Sequence, residues 1–426
     1  IGSGLVGSEM CIRDRFRGED MKAKKREKRL LNLVYLLCLL LFTALGFLQQ
    51  PFDKFALIMG VVLCVLIGYS HFIVRRFYPD GDKFILIFAS VLAVVGVAML
   101  YRINPNTAIK QLIWIALGII GYILIVVILP DLKSFAKYKN VYMIITLVLM
   151  PLALIFGTEQ FGAKNWILIG PISFQPSEFA KIALVLYLAA ALATYESKKS
   201  FKEEVKQLFQ PALVAGFSMG CMVLQRDLGS ALIFFGISIT LLYVATSKKK
   251  YVFTALGLAA IGSVAGYTMF GHVRERVMIW RDPWKYALGS SYQIVEGMYS
   301  IAAGGLFGVG LGQGHFQNLP VKESDMIYAI ICEEFGIIFA IGLMIIYFLL
   351  FYRGIRAAFV TKDSYSQLIA VGFSTMIACQ TLVIIGGIFS VIPLTGITLP
   401  IISYGGSSVL TIFFALGILQ KISEEA

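Results

Sequence analysis

The chain has 426 residues, of which 58% are hydrophobic, 13% aromatic and 15% charged, and its mean hydropathy is +0.81. That balance excludes a soluble globular domain and describes a polytopic membrane protein. The formal net charge of +12 would suit a nucleic-acid binder, but the cations fall in alternate segments between apolar runs, a topology pattern, so no nucleic-acid partner is expected.

Residues 1–20 contain no apolar core followed by a cleavage site and are not a signal peptide. They read as a non-native leader with Met21 as the natural start, or more plainly as a disordered tail. Residues 21–29 form a basic cytoplasmic N-terminus. Twelve apolar runs follow, at 30–49, 55–74, 84–101, 110–129, 139–157, 177–194, 211–225, 229–246, 251–270, 326–351, 365–391 and 401–420. They are continuous rather than alternating with period two, which predicts helices and not barrel strands. The runs at 211–225 and 229–246 are short, as tilted or partly re-entrant segments would be. The segments 21–30, 75–83, 131–140, 195–210, 247–250, 352–364 and 421–426 hold 23 of the 37 Lys and Arg residues. By the positive-inside rule these are cytoplasmic, both termini are inside, and the long connection at 271–325 is an outer loop. Cys11, Cys38, Cys64, Cys221, Cys332 and Cys379 lie in the leader or in spans and read as packing residues, and three scattered histidines suggest no metal cluster.

The stretch Trp166–Lys181 carries Glu178 and Lys181 into the start of an apolar span. Three residues apart on a helix opening near Pro176, they share a face and are placed to partner each other or a substrate. Ionisable groups at membrane depth are functional by default. The plainer reading is a first-turn acid with a snorkelling Lys. Further on, Asp227 and Arg226 fall at the turn between two spans, where they are placed to pair.

The outer loop begins with Arg274, Arg276 and Arg281 beside Trp280 and Trp284, a cluster suited to a pyrophosphate or, equally, to lipid headgroups. An amphipathic run at 294–303 and a glycine-rich stretch, Gly304 to Gly314, follow. The glycines miss the dinucleotide fingerprint and lack its strand and helix, so they predict close backbone approach to a substrate or a flexible turn. The loop ends at Ser324 and Asp325, with Ser324 as the expected cap of a helix that Asp325 opens. Near the C-terminus, Ser403, Gly405, Gly406, Ser407 and Ser408 start a helix whose N–H groups suit an anion, or whose small residues suit close packing.

Taken together, Trp166, Gln175-Pro-Ser177-Glu178 and Lys181, then Asp227-Leu-Gly229, Asp282-Pro283, Glu323-Ser-Asp-Met-Ile-Tyr-Ala329, Glu333-Glu-Phe-Gly336 and Thr398 to Ser407 resemble the SEDS family of RodA, FtsW and SpoVE, in that family's order. The resemblance covers about residues 84–424. It implies a ten-helix SEDS core at 77–424 preceded by two extra transmembrane helices at 30–76. It also implies a peptidoglycan glycosyltransferase in the bacterial cytoplasmic membrane, polymerising lipid II onto a nascent glycan strand beside a class B penicillin-binding protein. Asp325 would be the general base of an inverting displacement, with Glu178 and Lys181 catalytic beside it. Trp166, Gln175, Ser177, Asp227, Arg274, Arg276, Ser403, Gly405 and Gly406 would bind substrate, and Asp325 and Glu178 would hold Mg²⁺ or Mn²⁺. Arg226, where a Pro is common, and Lys285-Tyr-Ala287 depart from the pattern. A lipid II flippase is the alternative, expected to place its polar site at the midplane rather than at the outer ends of spans.

Overall fold

The computed structural model describes residues 2–79, 81–129, 131–160, 162–170, 172–197 and 200–425, with the side chains of residues 2–23 outside the description. The expected leader and Cys11 therefore fall outside the described side chains.

The first half runs α1 (Gly2–Phe47), α2 (Lys54–Phe77), α3 (Phe84–Ile103), α4 (Pro105–Ile128), α5 (Lys139–Phe156), β1 (Thr158–Gln160), β2 (Ala163–Ile169) and β3 (Ile172–Phe174). The second half runs α6 (Pro176–Leu192), α7 (Phe201–Leu224), α8 (Leu228–Thr246), α9 (Lys249–Met269), α10 (Gly271–Arg281), α11 (Tyr292–Gly304), α12 (Ile327–Val360), α13 (Ser364–Ile388) and α14 (Gly406–Glu425). Eleven helical segments among the described residues are long and apolar enough to cross a membrane. The twelfth expected span, α6, has 17 residues and sits in the bundle interior. Most of α3, α13 and α14 is buried, whereas the apolar stretch of α9 lies wholly outside the bundle, on α8 and α10.

Local chemistry explains the boundaries. Asn104 accepts from the Asn106 amide and Pro105 takes the first position of α4, so the α3–α4 corner is a sharp capped turn. Pro176 opens α6 in the same way, with Glu178 in its first turn. The short run expected at 211–225 is instead the end of a 24-residue helix in which Pro211 is internal. Its polar first turns are held by Glu204, which accepts from Lys248, Lys250 and Tyr251, so the helix continues beyond the apolar run. Both α7, at 24 residues, and α8, at 19, are long and apolar enough to cross a membrane.

Segments expected on one face do meet. Asp82 pairs with Arg353, and its backbone amide donates to the Ser423 hydroxyl oxygen, joining the α2–α3 connection to the ends of α12 and α14. Three antiparallel strands precede α6, with Thr158 opposite Trp166 and Ile167 opposite Phe174. The apolar character of Trp166–Ile169 hid this hairpin in the sequence, because a short apolar run carries no period that separates strand from helix.

The glycine-rich stretch has a structural purpose. Gly336 breaks α12 with φ +82°, and the turn it opens receives Gly304–Gly314 as a strap. Val309 and Gly310 donate to the carbonyls of Glu333 and Glu334, while Ile337 and Ile338 donate to those of Gly305 and Leu306. Any Cβ on Gly308 would stand 2.3 Å from the Glu334 carbonyl oxygen. Gly304, Gly308 and Gly314 thus allow close approach to α12 itself.

Candidate active site

Asp325 lies in a tight turn, Val321–Met326, just before α12. The expected cap is not formed: Met326 holds the cap position without a side-chain bond, and the Ser324 hydroxyl instead donates to Asp325 Oδ1 at 3.0 Å. Gly396 of the α13–α14 connection lies over the carboxylate, its missing Cβ 3.5 Å from Oδ2. Burial pushes the Asp325 carboxyl up to about 6, with the Asp227 charge acting the same way and the Ser324 bond and Arg276 opposing it. A carboxyl so tuned is suited to take a proton near neutral pH.

Arg276 comes from α10. Its Nη1 donates to the Leu394 carbonyl at 2.6 Å, which fixes the guanidinium where the charges of both Asp227 and Asp325 are felt. The neighbouring Trp280 Nε1 donates to the Ser390 carbonyl at 2.9 Å, pinning α10 to the same connection. Arg274 points elsewhere. Exposed, it donates to the Thr268 carbonyl and lies over the Tyr267 ring, so it does not join Arg276 as expected.

Asp227 caps α8, accepting from the Ser230 amide and hydroxyl. Its Oδ2 also accepts from Asn165 at 3.1 Å and Gln175 at 3.5 Å. Asp227 does not pair with Arg226, which adopts φ +63° and turns outward to Glu159 at 3.0 Å. The β2–β3 hairpin thus reaches the site through Asn165 and Gln175. Trp166 is half-buried on β2, and Ser177 is buried in the first turn of α6, its hydroxyl unpaired.

Glu178 and Lys181 meet at 2.8 Å, both buried. Lys181 Nζ also donates to Gln380 Oε1 at 3.0 Å, and Glu178 Oε2 accepts from the Thr411 hydroxyl at 3.1 Å. Gln380 Nε2 donates to the Thr398 carbonyl at 2.9 Å. One residue on, the Leu399 amide donates to Ser403 Oγ, which donates to the Ser324 carbonyl at 2.6 Å. The ion pair is therefore joined to the residue before Asp325 by a polar chain through α13 and the α13–α14 connection, rather than by direct contact. Sequence reading missed Gln380, Thr411 and Asn165; Gln380, a polar residue amid an apolar span, carried the one usable signal.

Gly405 and Gly406 sit in close packing against α4. The Gly405 amide donates to Gln111 Oε1, and a Cβ on Gly406 would stand 2.3 Å from the Trp114 ring. No three His, Cys, Asp or Glu side chains converge as metal ligands among the described residues. Glu178 does not fit a metal, since one oxygen faces an ammonium and the other a hydroxyl. Asp325 fits as a single carboxylate ligand to a hard cation completed by phosphate oxygens and water.

The profile of the cell cycle protein family of FtsW, RodA and SpoVE matches residues 82–426. The chain belongs to this family. The peptidoglycan glycosyltransferase RodA of Mycobacterium tuberculosis is 35% identical over 394 residues, covering 86% of this chain and 83% of that protein. Stage V sporulation protein E of Bacillus subtilis is 34% identical over 359 residues, covering 80% and 96%. Among solved structures, one describing the coordination of polymerization and crosslinking by a peptidoglycan synthase complex superposes with TM-score 0.69 at 26% identity, covering 80% of this chain and 97% of that one. The rod shape determining protein RodA of Thermus thermophilus superposes with TM-score 0.61 at 25% identity, over 80% and 96%. Residues 24–77, which include the C-terminal half of α1 and all of α2, lie ahead of the region matched to the family.

Proposed function

We infer that this multi-pass membrane protein is a peptidoglycan glycosyltransferase that polymerises lipid II at the outer face of the cytoplasmic membrane, with both termini inside and a class B penicillin-binding protein beside it. The observation that carries the reading is Asp325: a carboxyl raised to about 6, in a turn facing Arg276 and Asp227. In the reaction, an acceptor sugar hydroxyl passes its proton to the Asp325 carboxylate while its oxygen bonds to the anomeric carbon of the lipid-linked sugar. The bond from that carbon to pyrophosphate breaks, and the electron pair leaves with the polyprenyl pyrophosphate. A single displacement inverts the anomeric centre and needs no enzyme nucleophile. Arg276 lies where it would hold pyrophosphate, and its guanidinium keeps its charge at any working pH. A divalent cation, Mg²⁺ or Mn²⁺, would be held by Asp325 together with substrate phosphates, and would neutralise leaving-group charge. Glu178 and Lys181 act as positioning residues, since their charges are spent on each other, on Gln380 and on Thr411.

Asp325→Asn tests this reading. The substitution is isosteric but cannot accept the proton, so labelled lipid II should yield no glycan ladder on a gel while the protein still inserts and elutes as a folded species. Substantial polymer from the variant would remove Asp325 as the base.

A further inference from the structure

The α3–α4 corner binds the outer loop on one side and the N-terminal hairpin on the other. Arg102 Nη2 donates to the Gly312 carbonyl at 2.8 Å, its Nε lies 3.2 Å from Glu334 Oε1, and its guanidinium stacks over Phe316. Asn104 and Thr107 donate to the two oxygens of Glu323, each at 3.0 Å. Glu323 is two residues before Asp325, so this corner holds both ends of the segment that sets the base in place. On the opposite side, the Tyr101 hydroxyl donates to Asp53 Oδ2 at 2.6 Å, while Asp53 Oδ1 already caps α2 through the Phe55 amide. Leu48, in the α1–α2 turn, lies directly against Gly312, where a Cβ would come within 2.6 Å of its Cδ2.

We propose that the α1–α2 hairpin is a positioning element of the active site, which holds the Gly304–Gly314 strap and the Asp325 turn through Leu48 on Gly312 and Asp53 on Tyr101. The physical need is specific. Gly312 has φ +87° and no side chain of its own to anchor it, so the strap there is held by its backbone bond to Glu334, by Arg102 on its carbonyl and by Leu48 packed where a side chain would stand. The Asp325 turn lacks a helix cap, and its register depends on what grips its neighbours. Because a base misplaced by about 1 Å costs roughly a hundredfold in rate, a second support for the loop has a catalytic consequence. The hairpin is thus more than two further lipid-facing helices. This inference rests on the glycosyltransferase reading for its kinetic part, but not for its structural part.

The test uses Tyr101→Phe and Leu48→Ala, singly and together, in the full-length protein in detergent. Hydrogen exchange over residues 305–325 should quicken about tenfold in the double variant, while α13 and α14 keep their protection. In an active preparation, kcat should fall about tenfold or more with KM for lipid II unchanged, and Leu48→Met should recover most of it. Tyr101→Phe keeps the ring and removes only the hydroxyl, so it decides the question if Leu48→Ala disturbs folding. Wild-type exchange in the 305–325 region, or wild-type turnover in the double variant, overturns the proposal. If the wild-type protein makes no polymer at all, the glycosyltransferase reading fails, while the exchange comparison still decides whether the hairpin orders the loop.

Discussion

At the scale of single residues, the account rests on how burial tunes Asp325. Its ordinary value of 3.8 rises to about 6, so the carboxylate form needed to accept a proton is filled as pH climbs through that value. The rate of polymerisation should therefore rise about tenfold per pH unit below 6 and level off above it, measured as initial rates at saturating lipid II. An acidic limb that is absent, or one centred near 4, would contradict the tuning. The same shift has a stability consequence of opposite sign. A carboxyl raised in the folded state contributes stability below its ordinary value that is lost as pH rises through about 6, where the buried charge must form. Asp325→Asn should thus be more stable to unfolding than wild type at pH 7.5, by on the order of 3 kcal/mol, with the gap closing toward pH 4. The sequence made Asp325 visible through its motif, but not its pKa: that depends on burial and on the charges of Arg276 and Asp227, which only folding brings about.

Among elements, α6 and α12 carry the polar interior. The pairing of Glu178 with Lys181 was legible from a spacing of three on one helix, but its partners were not, because Gln380 and Thr411 are separated from it by hundreds of residues and come from α13 and α14. Lys181→Met would leave Glu178 buried without its ion partner, and should cost about 3–5 kcal/mol in thermal or denaturant unfolding. Reversing the pair, Glu178→Lys with Lys181→Glu, should restore much of that stability but not the activity, since the chain through Gln380 and Thr398 is then reversed in polarity. Recovery of both would make the pair a brace alone. The strap on α12 illustrates what sequence could not reveal. A glycine-rich loop looks the same whether it approaches a ligand or its own chain, and only the φ of +82° at Gly336 shows that α12 opens to receive it. Gly308→Ala must accept both a φ of +81° and a Cβ 2.3 Å from a carbonyl oxygen, so a loss on the order of 3 kcal/mol is expected in the same unfolding assay.

For the whole molecule, hydropathy and alternating charge were enough to predict a helical bundle, because in lipid every backbone group must be satisfied within the helix and apolar runs have nowhere else to go, while the division into a core and two helices ahead of it came from the family resemblance. What they could not predict was which helices form the centre: α3, α13 and α14 are as apolar as α9, yet the apolar stretch of α9 stands outside the bundle. Polar residues contribute to that arrangement, with Gln111 of α4 donating to the Ile401 and Ser403 carbonyls and Tyr122 hydrogen-bonded to Gln420, contacts between distant segments that no local pattern encodes. Asp325, Arg276 and Asp227 lie in connections at helix ends rather than within spans, where a polymerase acting at a membrane face is expected to carry its site and a transporter, with a midplane site, is not. The most direct test is to supply the detergent-solubilised protein with lipid II, a class B penicillin-binding protein and a divalent cation, with no membrane and no gradient. Glycan strands that depend on Asp325 are the predicted result; no strands, together with lipid II translocation by vesicles containing the same protein, would contradict it.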